Sequence, residues 1–261
     1  MGSNVELDRD GAVAWISFNR PEVLNAIDRP TAEDFLAVAR RVAEADDVRA
    51  VVVAGAGRAF IAGGDLHAFV EPGRVPADTL SAIITPFHQA ILTLVRMDAP
   101  VLASLHGAVA GGGLGLALSC DLAIAADDTR LAMAYPRVGP SPDGGSTWAL
   151  PRLVGLRRAM EIALLDEPID AERALQLGLV NKVVPAARLE EETAALAQRL
   201  ARGPTMAFGR TKALLRQSFD ATLPHQLEAE RDSFMACTRT EDFITGVNNF
   251  LGRAKEPFRG C

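Results

Sequence analysis

Glycine-rich segments are the part of this 261-residue sequence in which residue types and spacing indicate chemistry. Residues 111–113 are all glycine, and Gly115 adds a fourth within five positions. Glycine loses more backbone freedom on folding than any other residue, so such a cluster indicates that the backbone must approach something closely. Residues 99–105 predict a buried strand before the cluster, and residues 114–118 can begin a helix. This arrangement directs unpaired N–H groups and the positive end of a helix dipole at one point, which we expect to hold an oxygen that becomes negative.

A second segment, residues 58–69 (RAFIAGGDLHAF), repeats the arrangement of strand, small residues and helix start. Gly63 and Gly64 follow the strand, and Asp65 is a suitable N-cap for the helix that begins after it. Close packing of a helix on a strand is the alternative interpretation of either segment taken alone.

Several other classes of site are disfavoured. The dinucleotide-binding pattern G-x-G-x-x-G fails because its last position falls on Leu116 or Leu118, and no P-loop sequence occurs. Residues 101–126 are apolar, but five glycines, His106 and Asp121 interrupt them, which disfavours a membrane span. No cluster of His, Cys and carboxylate residues has the spacing of metal ligands, so we expect no metal.

Composition restricts the partners and the compartment. The net charge of −6 argues against nucleic acid as a main partner, because phosphate binding requires a basic surface. Apolar residues make up 49% of the chain, which is ample for a large core. The three cysteines lack C-x-x-C spacing and fit a reducing compartment. We therefore expect a cytoplasmic protein without a membrane or nucleic-acid partner.

The order of predicted elements indicates an α/β fold. Short buried strands alternate with helical segments as far as residue 185, which predicts mostly parallel strands. Helical segments follow at residues 189–202, 205–219, 223–237 and 242–251. We therefore expect residues 1–185 to form the α/β core that contains the site, and residues 186–261 to form a helical region for packing or oligomerisation.

Three local predictions are specific enough to be checked. Thr31 and Asp34 predict a capping box for a helix that continues to about residue 45. Residues 147–160 are predicted to be helical, with Pro151 near a helix start. Asp121, at a predicted strand end, is expected to be solvated or to cap a backbone group.

Five segments together resemble the enoyl-CoA hydratase/isomerase, or crotonase, family. In the family's order they are residues 19–27 (NRPEVLNAI), 58–66 (RAFIAGGDL), 106–125 (HGAVAGGGLGLALSCDLAIA), 139–155 (GPSPDGGSTWALPRLVG) and 174–184 (ALQLGLVNKVV). The resemblance covers nearly the whole chain and implies a crotonase-like spiral of β-β-α units with a C-terminal helical region. It also implies an acyl-CoA thioester substrate and a homo-oligomer, either a trimer or a dimer of trimers. Coenzyme A enters as part of the substrate, so no further cofactor is expected.

The resemblance assigns two backbone donors to the substrate thioester oxygen. Matched residue by residue, they are the N–H groups of Gly64 and Gly112, which lie in the two glycine segments identified above. Two such donors would stabilise an enolate oxyanion. Hydratases of the family also use two glutamates to activate a water molecule, but the matching positions hold Gly115 and Tyr135. A water-addition mechanism of the ordinary kind is therefore disfavoured.

Asp143 is the acid that remains. Its position in the SPDGG segment matches the single acid of several family isomerases, and one carboxylate is able to remove a proton from one carbon and return it to another. The alternative is that Asp143 caps the turn into the following glycines. The loss of both glutamates favours the catalytic role.

Other residues are expected to contact the substrate. The resemblance places adenine against the loop that contains Ala62, while Tyr135 and Trp148 are candidates for the acyl pocket. Leu66 and His67 follow the first donor and are candidate pocket residues. Candidates for the coenzyme A phosphates and for packing beside them are Arg20, Arg58, Lys255, Arg259 and Phe258.

The sequence therefore predicts an enoyl-CoA isomerase that shifts a double bond with one acid/base residue. An enoyl-CoA hydratase with a rearranged water site is one alternative. A non-catalytic acyl-CoA-binding scaffold is the other, because both family glutamates are missing while the donors remain.

Overall fold

A computed structural model describes residues 3–69 and 77–261 of the chain. Among these residues, no helix is both long enough and apolar enough to cross a lipid bilayer.

Ten strands form two sheets within the residues that the structure describes. The strands are β1 (Val5–Asp10), β2 (Val13–Phe18), β3 (Ala50–Gly55), β4 (Ala59–Ile61), β5 (Val101–Leu105), β6 (Ala108–Ala110), β7 (Leu122–Ala126), β8 (Arg130–Ala132), β9 (Ile169–Asp170) and β10 (Lys182–Val184). The larger sheet has the order β1-β2-β3-β5-β7-β10, and the smaller one has the order β4-β6-β8-β9. Among the strands of the described residues, only the β1–β2 and β8–β9 pairs are antiparallel, so the predicted mostly parallel sheet is confirmed.

Helices surround the two sheets. They are α1 (Arg29–Ala43), α2 (Leu66–Phe69), α3 (Ala77–Arg96), α4 (Gly112–Ser119), α5 (Ser146–Val154), α6 (Leu156–Leu165), α7 (Ala171–Gln176), α8 (Leu189–Ala201), α9 (Thr205–Gln217), α10 (Leu223–Cys237) and α11 (Glu241–Phe250). The four helices after residue 185 begin and end within two residues of their predicted bounds.

The chain passes repeatedly from the large sheet to the small one. β3 is followed by β4, β5 by β6 and β7 by β8, with one strand of each pair in each sheet. A helix follows the first two of these pairs, so the architecture is the predicted spiral of β-β-α units. Each passage brings a loop and a helix start to the same side of the small sheet, which is where the glycine segments lie.

The apolar core extends to both faces of the large sheet. Val51 and Val53 of β3 belong to the main cluster, whereas Val52 between them packs in a second cluster with Ala197 of α8. Side chains alternate between faces along a strand, so β3 must be apolar at successive positions because both faces are covered. The helix α8 therefore completes the core of the sheet.

Two of the three local predictions are wrong in detail. The helix α1 begins at Arg29, where Asp28 accepts a hydrogen bond of 2.9 Å from the Thr31 N–H. Pro30 in the first turn has no N–H to leave unpaired, so the helix starts earlier than a capping box at Thr31 would place it. Asp34 instead accepts from the backbone N–H of Asn4 at 2.9 Å.

The predicted helix over residues 147–160 is two helices. Gly155, with φ +76°, ends α5 and precedes α6, and Pro151 lies inside α5 rather than near its start. Asp121 caps a backbone group, which is one of the two roles predicted for it, because its carboxylate accepts a hydrogen bond of 2.8 Å from the Val101 N–H. Its carboxylate lies 2.7 Å from Lys212 Nζ and 2.9 Å from Arg216, which joins α9 to the large sheet.

Candidate active site

An apolar cavity of about 630 Å³ lies beside both glycine segments. Its walls come from α3, from the two glycine turns and from the loop between β8 and α5. The residues that line it are Ile27, Ala62, Gly63, Gly64, Leu66, Phe69, Leu80, Ile83, Ile84, Phe87, Gly111, Gly112, Met133, Ala134, Tyr135, Val138, Gly139, Pro140, Ser141 and Asp143. Asp143 is the one carboxylate among these described lining residues.

The N–H of Gly64, a residue that lines the cavity, is left outside the backbone pairing of its segment. Gly64 forms a parallel bridge with Ile27, in which the Ile27 N–H donates to Gly63 and the Ile27 carbonyl accepts from Asp65, each at 2.9 Å. Alternate peptide groups of an extended segment point to opposite sides, so the polar groups of Gly64 itself point away from Ile27. Within residues 3–69 and 77–261, the Gly64 N–H donates to no protein acceptor.

The second free donor is at the start of α4. Gly111 has φ +54°, a conformation that suits glycine, and turns the chain from β6 into the helix. Gly112 is the first residue of the helix, where N–H groups have no partner in the preceding turn. Its N–H donates to no acceptor in the part of the chain that the structure describes. The strand before this turn is β6, which the sequence analysis did not predict.

The two turns are in contact. A Cβ atom placed on Gly111 would lie 3.4 Å from the Cα of Gly63, so the backbones meet without side chains between them. Both turns line one cavity, and the positive end of the α4 dipole is directed at it. This arrangement suits an oxygen atom that gains negative charge, because the donors are fixed before charge develops.

Asp143 is half-buried and paired with Tyr135 in the cavity wall. The Tyr135 hydroxyl donates to a carboxylate oxygen of Asp143 and lies 3.4 Å from its backbone carbonyl. Burial raises the pKa of the Tyr135 hydroxyl far above its usual value, and the nearby carboxylate raises it further. The Tyr135 hydroxyl is therefore protonated at neutral pH, and through this hydrogen bond it orients the carboxylate.

A buried aspartate holds the turn that carries Tyr135. Asp166 accepts from the Ala134 N–H at 2.7 Å, and its other carboxylate oxygen lies 2.5 Å from Arg137. Ala134 has φ +63°, an uncommon conformation for alanine that this hydrogen bond helps to maintain. Asp166 thus fixes the position of the tyrosine although it lies outside the cavity lining.

Gly115 allows the Asp143 loop to pack against α4. A Cβ on Gly115 would lie 2.4 Å from the carbonyl oxygen of Gly144, well inside any permitted contact. The loop after Asp143 therefore occupies the space that a side chain at position 115 would need. The packing of this loop therefore leaves no room for a glutamate side chain at position 115.

Six of the predicted site residues lie together in the cavity lining: Asp143, Gly64, Gly112, Ala62, Leu66 and Tyr135. The others do not line it. His67 is exposed. Its backbone N–H donates to the Asp65 carboxylate at 3.2 Å, so Asp65 caps α2 as predicted. Trp148 is 44% exposed and lies on the outer side of α5. The Arg152 guanidinium stacks on its indole ring, with the guanidinium carbon 4.2 Å from the ring centroid.

Arg20 lies behind the first donor turn. Its guanidinium pairs with Asp28 at 3.1 Å and with Asp65 at 3.2 Å, and it donates to the Ala26 carbonyl at 2.6 Å. With both carboxylates engaged and its side chain 17% exposed, Arg20 is placed to hold the turn of Gly64 rather than to bind a phosphate.

The predicted coenzyme A contacts near the C-terminus lie apart from this cavity. Phe258 lines a second cavity of about 400 Å³ between α9 and α11, where its ring lies against Gly246. Lys255, Arg58 and Arg259 are exposed, and Arg259 lies 3.4 Å from Glu241.

Sequence reasoning missed three residues that shape the site. Asn25 is fully buried, and its amide donates to three backbone carbonyls, at Ala56, Ala59 and Phe60, over 2.8–3.0 Å. Phe87 and His88 on α3 contact the second donor turn and the Asp143 loop. Asn25 lies in the segment 19–27 quoted above, whereas no sequence signal marked Phe87 or His88.

Comparison with known proteins assigns this architecture to a family. The family model for enoyl-CoA hydratase/isomerase matches residues 8–260. The structure resembles that of an enoyl-CoA hydratase from Polaromonas sp. JS666, with a TM-score of 0.92, 31% identity, and coverage of 98% of this chain and 99% of that one.

Curated relatives agree with this assignment. A "probable enoyl-CoA hydratase" of Rhodobacter capsulatus is 38% identical over 248 residues, and the 1,2-epoxyphenylacetyl-CoA isomerase of Escherichia coli is 34% identical over 249 residues. Each alignment covers 95% of this chain and 95% of the relative. The fold is thus that of the crotonase class. The chain belongs to the enoyl-CoA hydratase/isomerase family, which processes acyl-CoA thioesters.

Proposed function

We propose that the protein is an enoyl-CoA isomerase that moves a double bond from the 3,4 to the 2,3 position of an acyl-CoA thioester. The observation that carries this proposal is that one carboxylate, Asp143, shares an apolar cavity with two free backbone donors, Gly64 and Gly112. An apolar lining suits an acyl chain and excludes bulk water from the reacting carbons.

The proposed reaction moves one proton and no electrons. The Asp143 carboxylate removes a proton from C2, and the C2–H electron pair forms a dienolate whose negative oxygen accepts hydrogen bonds from Gly64 and Gly112. The protonated Asp143 then returns the proton at C4, which leaves the double bond between C2 and C3. No redox cofactor is needed, since substrate and product are isomers.

The packing at Gly115 supports isomerisation over hydration. A hydratase of the family kind needs a carboxylate at that position to activate water, and the Gly144 carbonyl occupies the space. Tyr135 stands at the other glutamate position, and its raised pKa keeps it protonated. Neither residue is able to act as a base toward water.

An enoyl-CoA hydratase with a rearranged water site is the second candidate, favoured by the name of the Rhodobacter capsulatus relative. Incubation in heavy-oxygen water separates the two. The proposal predicts conversion of 3-enoyl-CoA into 2-enoyl-CoA without label. Conversion of 2-enoyl-CoA into labelled 3-hydroxyacyl-CoA, with 3-enoyl-CoA unchanged, would refute the isomerase and support the hydratase.

Replacement of the proposed base tests the mechanism. Asp143→Asn is expected to lower kcat by about 100- to 10,000-fold, the usual range for loss of a general base, while acyl-CoA binding remains. The exposed Asp232→Asn serves as the matched control and should not change kcat. Full activity of Asp143→Asn would refute the assigned base. Tight acyl-CoA binding by the wild type without turnover of any enoyl-CoA would instead support the scaffold alternative.

We also propose that the protein is a homo-oligomer, a trimer or a dimer of trimers. The helices α10 and α11 support this, because they expose a series of large apolar side chains. These are Leu223, Leu227, Phe234, Phe243, Ile244, Val247 and Phe250. An exposed apolar area of this kind commonly marks an interface. Size-exclusion chromatography with light scattering tests the proposal, and a monomer at micromolar concentration would refute it.

A further inference from the structure

His88 accepts a hydrogen bond from the N–H of the peptide group that joins Asp143 to Gly144. His88 lies on α3, half-buried, and its Nε2 atom is 3.1 Å from the backbone nitrogen of Gly144. The Gly144 N–H therefore donates to this ring nitrogen. The neighbouring Phe87 lines the cavity, so α3 contacts the site through two consecutive residues.

The bond acts on the peptide plane that joins Asp143 to Gly144. The carbonyl end of this plane accepts from the Ser146 hydroxyl at 3.2 Å and lies 3.4 Å from the Tyr135 hydroxyl. His88 holds its N–H end. The plane is thus held at both ends, and the Tyr135 hydroxyl that contacts the carbonyl is the same group that orients the Asp143 carboxylate.

The backbone dihedral preferences of the following glycines do little to fix the orientation of this peptide plane. Gly144 has φ +65° and Gly145 has φ +84°, and glycine adopts positive and negative φ with similar ease. Rotation of the plane would carry the Asp143 carbonyl away from the two hydroxyls. An acceptor that is fixed on a long helix removes this freedom.

The contact also defines the state of the His88 ring. A ring nitrogen that accepts a hydrogen bond carries no proton, so the ring is neutral with its proton on Nδ1. To accept this hydrogen bond, the side chain at position 88 needs only an acceptor atom at the position of Nε2. It does not need to transfer a proton to the substrate.

We propose that His88 is a positioning residue, which acts through the Gly144 N–H to hold the Asp143 turn in its working conformation. This inference rests on the proposed role of Asp143. His88 is not among the residues that line the cavity, so it acts on the site through the Asp143 loop.

Three substitutions at one position test the proposal kinetically. Glutamine places its terminal oxygen about where imidazole has Nε2, whereas asparagine reaches only as far as Nδ1. His88→Ala and His88→Asn are expected to lower kcat about five- to tenfold, the effect of losing one hydrogen bond, with KM within twofold of wild type. His88→Gln is expected to retain kcat within twofold. His225→Ala, on the exposed face of α10, is the matched control.

A measurement that does not depend on activity separates this inference from the proposed function. The chain contains four histidines, so spectra of ¹⁵N-histidine-labelled protein can be assigned by single substitutions. The proposal predicts the Nδ1–H tautomer for His88 and faster hydrogen exchange of the Gly144 amide in His88→Ala than in wild type or His88→Gln. These results stand even if the wild type shows no isomerase activity.

Two results would overturn the inference. One is an Nε2–H tautomer at His88, which would leave no acceptor for Gly144. The other is a loss of kcat in His88→Gln as large as in His88→Ala while Gly144 exchange stays slow, which would mean that the imidazole does more than accept a hydrogen bond. Circular dichroism and thermal unfolding verify that each variant is folded.

Discussion

Substitution of Gly115 by alanine is a direct test of how the site is built. The added Cβ would lie 2.4 Å from the Gly144 carbonyl oxygen, 2.9 Å from its carbonyl carbon and 3.2 Å from its Cα. All three are backbone atoms, so no side-chain rotation relieves the clash. The loop that carries Asp143 must move away from α4.

The size of that movement follows from the distances. An ordinary contact begins near 3.4 Å, so the Gly144 carbonyl must shift by about 1 Å. A misplacement of this size at a catalytic group costs about 100-fold in rate. Overpacking of a core costs about 1–3 kcal/mol, and the gain of alanine over glycine within a helix returns about 0.5–1 kcal/mol. We expect a loss of about 1–2 kcal/mol in the free energy of unfolding.

The assay is the conversion of 3-enoyl-CoA to the conjugated 2-enoyl thioester, followed by ultraviolet absorbance, together with urea unfolding. Gly246→Ala in α11 is the matched control, because its Cβ would meet only a ring edge of Phe258 at 3.3 Å. It should leave kcat unchanged. If Gly115→Ala retains the wild-type kcat and stability, the loop does not depend on this close approach and the argument against a hydratase fails with it.

Three further predictions concern neighbouring groups. Tyr135→Phe removes the hydroxyl that orients Asp143 and is expected to lower kcat about 10- to 100-fold with little change in KM, since hydrogen bonds to charged groups contribute about 1.5–3 kcal/mol. Asp121→Asn leaves two poorly exposed cations without their partner and is expected to destabilise the fold by about 3 kcal/mol in urea unfolding. Burial, assisted by the neighbouring Asp121 carboxylate, raises the pKa of Cys120 to about 12. Because the thiolate is the reactive form, Cys120 should resist alkylation at pH 8 in folded protein while the exposed Cys261 reacts, as followed by mass spectrometry.

Each of these predictions has its own control. Asp220→Asn, whose side chain is 75% exposed in its pair with Arg152, should change stability by less than about 0.5 kcal/mol. An equally small effect of Asp121→Asn would show that its ion pairs contribute nothing. Labelling of Cys120 as fast as Cys261 would contradict the raised pKa. A Tyr135→Phe variant with the wild-type kcat would mean that Asp143 needs no orientation by the hydroxyl.

Local sequence chemistry predicted well that two glycine turns, each followed by a helix, meet at one place in the fold. Adjacent glycines before a helix start identify both turns, because few other functions require so little side chain at consecutive positions. The order of strands and helices likewise follows from alternating short apolar runs. The sequence could not reveal β6, because a strand of three residues within a glycine-rich segment has no period to detect.

Contacts between distant segments were the part that sequence could not supply. Asp121 looked like a strand-end residue, and only the packing of α9 brings Lys212 and Arg216 to it. Trp148 looked like a pocket residue, but the start of α5 after Gly145 turns it outward beneath Arg152. His88 has an ordinary position on an amphipathic helix, and its partner lies 56 residues further along the chain.

The candidate donors at positions 64 and 112 belong to peptide bonds, so a scan of amino-acid side chains never deletes them. Substitutions there change bulk, while the N–H itself persists in every L-amino acid except proline. The group can be removed cleanly only by exchanging the amide for an ester, with glycolic acid in place of glycine. Protein semisynthesis, rather than mutagenesis, is therefore the technique that addresses these two atoms one at a time.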